Sequence, residues 1–407
     1  MDAASADCAL RDVDGPPLAR LALRHLASAW THGSLTVDLP GRPSAVRIGR
    51  QGAAPEVLWR VRNWRAARRL LFGGDIGLAD GYLAGDWDTP NLTALLTGFA
   101  RNYEGLSRRL RGNPLAGKAQ ALLHALNRNT RAGSRRNILA HYDLGNEFYA
   151  AWLDGGMTYS SAIFVAPDEP MEVAQRRKYE RLARMAGVGW GSRILEIGCG
   201  WGGFAEYAAG ELGAHVTAIT LSPSQKAFAE ARLARAGLSE RVDVRLVDYR
   251  DIDGEYDGVI SIEMFEAVGE AYWPTFFKQI ARLLKPGGRA GLQVITIRDD
   301  LFEDYRRRPD FIQLEVFPGG MLASEARLTL EVARAGLHLD PISARHGADY
   351  ARTLDQWRRC FDQNWPAIGP LGFDEQFRRF WRYYLAYCEV GFRTGRTDVV
   401  HLGLTRP

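Results

Sequence analysis

The stretch that decides the fold is Arg193-Ile-Leu-Glu-Ile-Gly-Cys-Gly-Trp-Gly-Gly203. Its first five residues are mostly apolar, which is typical of a short buried strand, and glycines then crowd the six residues that follow. Glycine lets the backbone turn sharply and approach a ligand closely, and a helix that begins here leaves its first amide groups unpaired. The pattern therefore predicts a strand, a ligand-binding loop and a helix. The alternative is a glycine turn needed only for packing.

Predicted strands and helices alternate on the C-terminal side of this loop. Short apolar runs bounded by turn residues are typical of strands, and longer amphipathic runs between them are typical of helices. This alternation predicts an α/β domain with a mostly parallel sheet and helices on both faces. The predicted strands are 193–197, 215–220, 242–247, 256–262 and 289–297, and the predicted helices are 204–211, 223–236 and 276–284. Residues 337–350 and 397–405 are expected to supply the last strands, and 300–330 an inserted cover.

The sequence pattern of residues 16–104 predicts a smaller α+β domain at the N-terminal side. Residues 1–15 are small and acidic, which favours disorder. Arginine and glycine crowd residues 105–136, which we interpret as a mobile basic linker to a catalytic domain over 137–407. Within the small domain we expect helices over 18–30 and 65–71, strands over 33–39 and 57–61, a turn-rich segment over 77–88, and a helix capped by Asn91 that ends at Phe99.

Charge is distributed unevenly along the sequence. Residues 1–136 contain 20 Lys and Arg against 11 Asp and Glu, whereas the full sequence contains 52 and 48. A basic N-terminal part suits an anionic surface, either lipid or nucleic acid, and the alternative is a solvated helix face. Trp64 lies among the arginines of residues 60–69, and Trp59, Leu70, Leu71 and Phe72 flank them directly. This interleaving favours an amphipathic surface helix, but it fits a helix packed on a core equally well.

The spacing of the cysteines and the hydropathy pattern indicate in which cellular compartment the protein is expected. No two of Cys8, Cys199, Cys360 and Cys388 form a Cys-x-x-Cys pair, which argues against a disulfide framework or a metal site. No apolar run approaches the ~20 residues of a membrane-spanning helix. The N-terminus also lacks the basic and then apolar pattern of a secretory signal. We therefore expect a cytoplasmic protein that associates with a membrane only peripherally.

Polar side chains follow the predicted strands, at the ends where open α/β sheets bind their ligands. Glu196 lies inside the first strand, and Asp248 and Tyr249 follow the third. Glu263 and Glu266 come directly after the fourth strand. Two carboxylates at that edge are candidates for positioning or for acid–base chemistry. The structural alternative is a set of ordinary polar turns.

Several motifs together resemble a known family. Glu196 and the spacing Gly198-x-Gly200-x-Gly202-Gly203 resemble the first motif of class I S-adenosylmethionine-dependent methyltransferases. Further segments resemble, in order and over nearly the whole sequence, the cyclopropane-fatty-acyl-phospholipid synthases of that superfamily. These segments are 77–87, His141–Tyr149, Met157–Ser161, Met264–Gly269, Phe317–Gly320, Gly347–Tyr350 and Trp381–Cys388. The resemblance implies a Rossmann-like core with a mostly parallel seven-stranded sheet, a smaller α+β lipid-docking domain, and S-adenosylmethionine as cofactor.

The resemblance also implies roles for individual residues. The methionine end of the cofactor would contact Tyr159, Ser160, Gly198 and Gly200, and Glu196 and Trp201 belong to the same glycine motif. The ribose and adenine of the cofactor would contact Thr220, Gln225, Asp248 and Tyr249. In the family a bound bicarbonate serves as general base. Its cage here would comprise Ser161, Glu266, the backbone of Ile295 and Tyr350, with Gln293 beside them. Glu266 is expected to orient the base and Tyr350 to hydrogen-bond it, while aromatic faces such as Tyr159, Phe164, Phe265 and Tyr350 steady a carbocation.

The sequence departs from the family pattern at three positions. Ser161, Ala267 and Gln293 stand where many members have Cys, His and His. Serine and glutamine still offer hydrogen bonds, so an altered cage is expected. Ring closure is more in doubt than methyl transfer, because a cation without a well-placed base can lose a neighbouring proton instead. A methylene or methyl branch is then the product.

The leading hypothesis is an enzyme that transfers a one-carbon unit to the cis double bond of a phospholipid acyl chain at the membrane surface and closes a cyclopropane ring. The first alternative is methylation of an acyl carbon without ring closure. A non-catalytic lipid-binding protein and a small-molecule methyltransferase are weaker alternatives. We expect no nucleic-acid partner and no metal, and the oligomeric state stays open, with a homodimer as one alternative.

Overall fold

The computed structural model describes residues 15–42, 45–50, 52–109, 129–130, 133–134, 136–137, 144–342 and 344–407. They fall into two compact units. The first takes in the described residues up to 109, together with 308–311 and 372–394, and the second takes in the rest. The predicted disorder of residues 1–15 falls outside the described residues except for Gly15, and so does most of the predicted linker over 105–136.

Helices and strands follow each other in the order that the local patterns favour. The helices are α1 (Pro17–Ala29), α2 (Arg65–Leu83), α3 (Leu92–Arg101), α4 (Tyr103–Arg109), α5 (Asn146–Ala150), α6 (Met171–Met185), α7 (Gly203–Gly210), α8 (Pro223–Arg235), α9 (Trp273–Leu283), α10 (Asp299–Tyr305), α11 (Glu325–Arg334), α12 (Gly347–Ile368) and α13 (Glu375–Arg393). The strands are β1 (Ser34–Asp38), β2 (Val46–Gly49), β3 (Glu56–Val61), β4 (Trp87–Asp88), β5 (Arg193–Ile197), β6 (His215–Thr220), β7 (Val242–Leu246), β8 (Tyr256–Ile262), β9 (Leu284–Ile297), β10 (His338–Leu339) and β11 (Thr397–Thr405).

The second unit is built on a seven-stranded sheet of order β10-β11-β9-β8-β5-β6-β7 within the described residues. Strands β7, β6, β5, β8 and β9 are parallel, and β11 runs antiparallel to both β9 and β10. This confirms the predicted α/β class and its mostly parallel sheet. The strand order reverses between β5 and β8, where Ile197 lies opposite Ser261. In such sheets a crevice opens beyond the carboxyl ends of the two central strands.

The central strands are mostly apolar, as expected where helices cover both sheet faces. Leu195 on β5 and Val259 on β8 are fully buried in one cluster with the aromatic face of α9. Ile194 and Ile260 are buried in a second cluster with α6, α7 and α8. The two clusters fix the strand ends, and therefore the loops that leave them.

The first unit contains a four-stranded sheet of order β2-β1-β3-β4. Helix α3 begins at Asn91, whose side chain accepts a hydrogen bond from the Ala94 amide, so the predicted N-cap is confirmed. Although residues 77–88 are rich in turn-forming residue types, α2 continues to Leu83 past a kink at Gly74, and the chain turns only at 84–86. A Cβ at Gly81 would lie 2.9 Å from the Trp87 ring, so that glycine serves helix packing rather than a turn.

Two predictions needed revision. Residues 372–394, expected inside a continuous catalytic domain over 137–407, belong to the first unit, where α13 packs on α2 and α3. Residues 337–350 supply only the short strand β10, because α12 begins at Gly347. The region 300–330 does interrupt the alternation, with α10 and a π-helical turn at Ile312–Val316 before α11. Across the residues that the structure describes, no helix combines the length and apolar character needed to cross a membrane.

Candidate active site

A cavity opens in the second unit at the carboxyl ends of β5, β6 and β8. It encloses about 980 Å³ of space, part of it open to solvent. Nine of the ten residues predicted to bind the cofactor line it: Tyr159, Ser160, Glu196, Gly198, Gly200, Trp201, Thr220, Gln225 and Tyr249. Glu263, Met264 and Ala267 line the cavity as well. The sheet topology therefore brings together segments separated by about a hundred residues.

The glycine loop needs its glycines for geometric reasons. Gly198 has a φ of +85° and Gly202 a φ of +83°, in the left-handed region that favours glycine. A Cβ at Gly198 would lie 2.8 Å from the Met264 side chain, and a Cβ at Gly202 would lie 3.0 Å from Ala229. The amides of Gly198 and Cys199 both donate to the Ile219 carbonyl, which holds the loop against β6.

Glu196 provides a direct test of whether the cavity suits a polar ligand. Its side chain is buried, and Oε2 has no hydrogen-bond partner among the described residues. Burial raises the pKa of this carboxyl to about 8, with Arg232 opposing the shift. A buried polar atom without a partner is costly, so a hydrogen-bonding ligand in the cavity would supply what is lacking. The residues present therefore fit S-adenosylmethionine.

Neighbouring polar groups are held in place by hydrogen bonds. Thr220 Oγ1 donates to Gln225 Oε1 over 2.9 Å, and Trp201 Nε1 donates to Asn146 Oδ1 over 2.8 Å. Tyr159 lies against Trp357, with 5.3 Å between the ring centroids. These contacts fix the cavity wall before any ligand arrives.

Asp248 is placed differently from its predicted contact with adenine. It does not line the cavity, and Arg250 binds both of its carboxylate oxygens, over 2.8 and 2.6 Å. The Arg250 guanidinium also donates to the Asn129 carbonyl over 3.2 Å and lies 5.4 Å from the centre of the Tyr249 ring. Asp248 therefore anchors Arg250, while Tyr249 keeps its place in the wall.

A buried carboxylate, Glu263, lies at the centre of the polar groups predicted to be catalytic. Its Oε1 accepts from the Ser161 amide over 2.8 Å and from Gln293 Nε2 over 2.6 Å, and its Oε2 accepts from the Tyr350 hydroxyl over 2.7 Å. Ser161, Gln293 and Tyr350 are thus brought together, as the resemblance implied. The group they surround is Glu263, which the sequence marked as a candidate carboxylate without assigning it to the site.

Glu266 and Ile295 form a separate pair. Glu266 Oε1 accepts from the Ile295 amide over 2.5 Å, and its Oε2 has no partner among the described residues. Burial and the nearby Glu263 carboxylate raise the pKa of Glu266 to about 8. Two carboxyl groups so close together disfavour each other's charge. Glu266 is accordingly the one held in the neutral form near pH 7.

Lys178 supplies the positive charge behind this cluster, and sequence reasoning missed it. The side chain is fully buried on α6, and Nζ donates to Ser160 Oγ over 2.5 Å and to Gln175 Oε1 over 2.6 Å. Burial lowers its pKa to about 8, opposed by Glu263 and Asp154. A lysine on a helix of charged residues gave no signal for this role, because its burial depends on distant contacts.

His401 was missed as well, although its strand was predicted. It lies opposite Gln293 in the pairing of β11 with β9, and its Nε2 bonds Gln293 Oε1 over 2.7 Å. Burial and the neighbouring His346 hold the pKa of His401 well below its usual range, so the ring is neutral. The contact occupies the Gln293 oxygen and leaves its amide N–H groups to Glu263 and the Ser161 carbonyl.

Of the four aromatic residues expected to steady a carbocation, Tyr159 lines the cavity, whereas Phe164, Phe265 and Tyr350 do not. Phe265 is buried among Trp273, Phe276 and Phe277, with centroid distances of 5.2–5.5 Å, and so belongs to the core. The Arg352 guanidinium lies 3.8 Å from the centre of the Phe164 ring.

The strand order and a cavity walled by the glycine loop define a class I S-adenosylmethionine-dependent methyltransferase. The model of the mycolic acid cyclopropane synthetase family matches residues 129–402, and the protein belongs to this family. The family lies in the methyltransferase superfamily that the motifs indicated.

Individual relatives agree with this assignment. The protein is 42% identical over 349 residues to a tuberculostearic acid methyltransferase of Mycobacterium tuberculosis, covering 84% of its own length and 81% of the relative. It is 33% identical over 358 residues to the cyclopropane-fatty-acyl-phospholipid synthase of Escherichia coli, covering 86% and 88%. A mycolic acid cyclopropane synthase structure complexed with SAH and CTAB is similar at a TM-score of 0.62 and 28% identity, covering 67% and 98%. The protein is therefore an S-adenosylmethionine-dependent enzyme that modifies lipid acyl chains.

Proposed function

We propose that the protein transfers a methyl carbon to the cis double bond of an unsaturated phospholipid acyl chain and releases a branched alkene, which carries either a methylene group or a methyl group next to the new C=C bond. The observation that carries the proposal is a carboxylate, Glu263, placed in the wall of the cofactor cavity. Methylation of an alkene carbon leaves a cation that must lose a proton, so the reaction needs a base beside the acceptor. Methylation of an amine or hydroxyl also releases a proton, but at a solvated site that proton can pass from the heteroatom to water.

Bound S-adenosylmethionine supplies an electrophilic methyl carbon on a positively charged sulfur. The glycine loop would hold the methionine end, together with Tyr159 and Ser160, which line the same cavity. Thr220, Gln225 and Tyr249 would contact the ribose and adenine. Buried aromatic rings such as Trp357 exclude water around Tyr159, which protects a carbocation from capture.

The branched product is supported by the comparisons and by the three departures from the family pattern. The relative at 42% identity is named as a methyltransferase, and the one at 33% identity as a cyclopropane synthase. Ser161, Ala267 and Gln293 stand where many members of the family have Cys, His and His. Ring closure, our leading hypothesis from the sequence, is the second candidate because the cyclopropane synthase matches over 86% of the protein.

The test uses purified protein, S-adenosylmethionine and vesicles of a cis-monounsaturated phospholipid. We expect the acyl chains to gain the mass of one methylene group, and proton NMR to show vinylidene or branched-methyl signals. High-field cyclopropane protons would support the second candidate instead. Saturated vesicles are the control and should stay unchanged. Unaltered olefins together with alkylation of a soluble polar acceptor would refute the proposal.

The first unit is proposed to dock on anionic lipid. Leu18 and Leu21 lie three residues apart on one face of α1 and are 38% and 43% exposed, with exposed Arg20 and Arg24 beside them. An apolar face flanked by arginines is typical of helices that lie in a membrane interface.

Part of the predicted basic run stabilises the first unit itself. Arg65 and Arg69 both donate to the buried carboxylate of Asp86, over 3.1 and 2.9 Å. Their charge is therefore partly neutralised within the unit, and α1 is the better candidate for docking.

Leu21→Asp should weaken binding to anionic vesicles by about fivefold, because it removes an apolar contact and adds a negative charge. Leu330→Asp, on α11 and 39% exposed, is the matched control and should leave vesicle binding unchanged. Cosedimentation with vesicles measures both. Equal behaviour of the two variants would count against docking through α1.

A further inference from the structure

Glu263 has a backbone conformation that glutamate rarely adopts. It follows β8 directly and has a φ of +49°, and among the described residues only Met157 is another non-glycine residue with positive φ. A side chain in this region costs on the order of 1 kcal/mol. Such strain persists where the surrounding contacts over-determine it, and it concentrates at functional sites.

The contacts of Glu263 are those of a bound planar anion. Two of its three donors bond one carboxylate oxygen and the third bonds the other, and all three distances lie between 2.6 and 2.8 Å. The donors belong to Ser161 and Tyr350, two of the four residues expected to hold bicarbonate, and to Gln293, which was expected beside them. A carboxylate and a bicarbonate present the same planar pair of oxygens, so the Glu263 side chain occupies the anion's place.

Bicarbonate therefore does not fit this site. The Ser161, Gln293 and Tyr350 donors are already bonded to Glu263, and the Ile295 amide is bonded to Glu266. A second anion would also lie beside the Glu263 carboxylate. Like charges at such distances repel strongly in a buried site. Lys178 is the buried cation that offsets Glu263, and its Nζ is already bonded to Ser160 and Gln175.

We propose that the Glu263 carboxylate is itself the general base of the reaction and replaces the bicarbonate ion used in the family. This inference rests on the proposed function. The alkene π pair forms a bond to the methyl carbon, and the methyl–sulfur bond breaks with its pair left on sulfur. A C–H bond of the resulting cation then breaks, its electron pair forms the new C=C or ring C–C bond, and the proton goes to a Glu263 oxygen.

Two features of the site suit Glu263 to this role. Burial raises the pKa of its carboxyl above the ordinary value, against the lowering effects of Lys178 and the three donors, so it is a stronger base than a solvated glutamate. Glu263 also lines the cavity, whereas Glu266 does not. The hydrogen bond from His401 to Gln293 fixes the amide so that an N–H group faces Glu263.

The experiment compares the wild type, Glu263→Gln and Glu263→Gly on unsaturated vesicles, in carbon-dioxide-free buffer and in buffer with added bicarbonate. The wild type should turn over equally in both buffers. Glu263→Gln should lose at least about 100-fold in kcat in both, because an amide fills the site but accepts no proton. Glu263→Gly should be inactive without bicarbonate and regain measurable activity with it, since the vacated space and donors admit the ion.

Folding of the variants is checked by thermal unfolding and by calorimetric titration with S-adenosylmethionine. Glycine adopts a positive φ without strain. The backbone change in Glu263→Gly should therefore not lower the unfolding temperature below that of the wild type. A wild type that requires bicarbonate, or a Glu263→Gln variant with near-normal turnover, would overturn the inference and leave the proposed function standing. A wild type that alkylates no unsaturated lipid in either buffer would overturn both.

Discussion

The two ends of the cavity are built by different means. At the glycine-loop end, the shape comes from the backbone of consecutive residues, 196–203, and glycine is required where a Cβ would strike Met264 or Ala229. At the carboxylate end, Glu263 is held by side chains and an amide from 161, 293 and 350. A local motif defines the first end, and long-range contacts define the second. Variants at the first end should therefore affect cofactor binding, and variants at the second should affect turnover.

The largest effect is expected at Gly198. Gly198→Ala adds a Cβ 2.8 Å from Met264 at a φ of +85°, so left-handed strain and overpacking together cost about 3 kcal/mol. If the loop moves to relieve them, affinity for S-adenosylmethionine should fall about 100-fold in calorimetry. Gly200→Ala is the matched control, because its φ is +52° but nothing lies within 4 Å of the added Cβ. The affinity of Gly200→Ala for S-adenosylmethionine should fall only about fivefold. Equal losses of affinity in the two variants would show that contact with Met264 is unimportant.

Tyr350→Phe tests the carboxylate end. It removes one donor to the Glu263 carboxylate, and hydrogen bonds to charged groups are worth about 1.5–3 kcal/mol. We expect kcat to fall at least about tenfold with cofactor affinity unchanged. The pKa of Glu263 should rise further without this donor, so the ascending limb of the kcat–pH profile should move to higher pH. If Tyr350→Phe lowered cofactor affinity and left kcat unchanged, the two ends would not differ in their effects on binding and turnover.

Glu266→Gln should have the smallest effect of the three variants. It should change how the free energy of unfolding depends on pH. The folded Glu266 carboxyl keeps its proton up to a pKa of about 8, whereas an unfolded one releases it near its ordinary pKa of 4.5. The free energy of unfolding therefore falls as pH rises through this window. The variant lacks this titration, so its free energy of unfolding should fall less between pH 5 and pH 8 than that of the wild type. Denaturant unfolding at the two pH values measures the difference.

The same contrast explains what the sequence could predict. The strand, loop and helix over 193–210 and the alternation that follows depend on neighbouring residues, and the predicted sheet is confirmed. Glu263 was recognised only as one of two acids after a strand, since its donors lie 30 to 102 positions away in the sequence. Lys178 and His401 gave no local signal for the same reason. The helix at 77–83 was missed because glycines that serve close packing resemble glycines that serve turns.

Arg250 binds both carboxylate oxygens of Asp248 and takes up part of their capacity to accept hydrogen bonds from the amino group of a purine. Selection of the base then depends more on stacking against Tyr249 and on the space beside it. Nucleoside analogues that differ at the exocyclic nitrogen should consequently compete nearly as well as those with an intact adenine. The enzyme would thus discriminate among its donors chiefly by the sulfur end of the molecule.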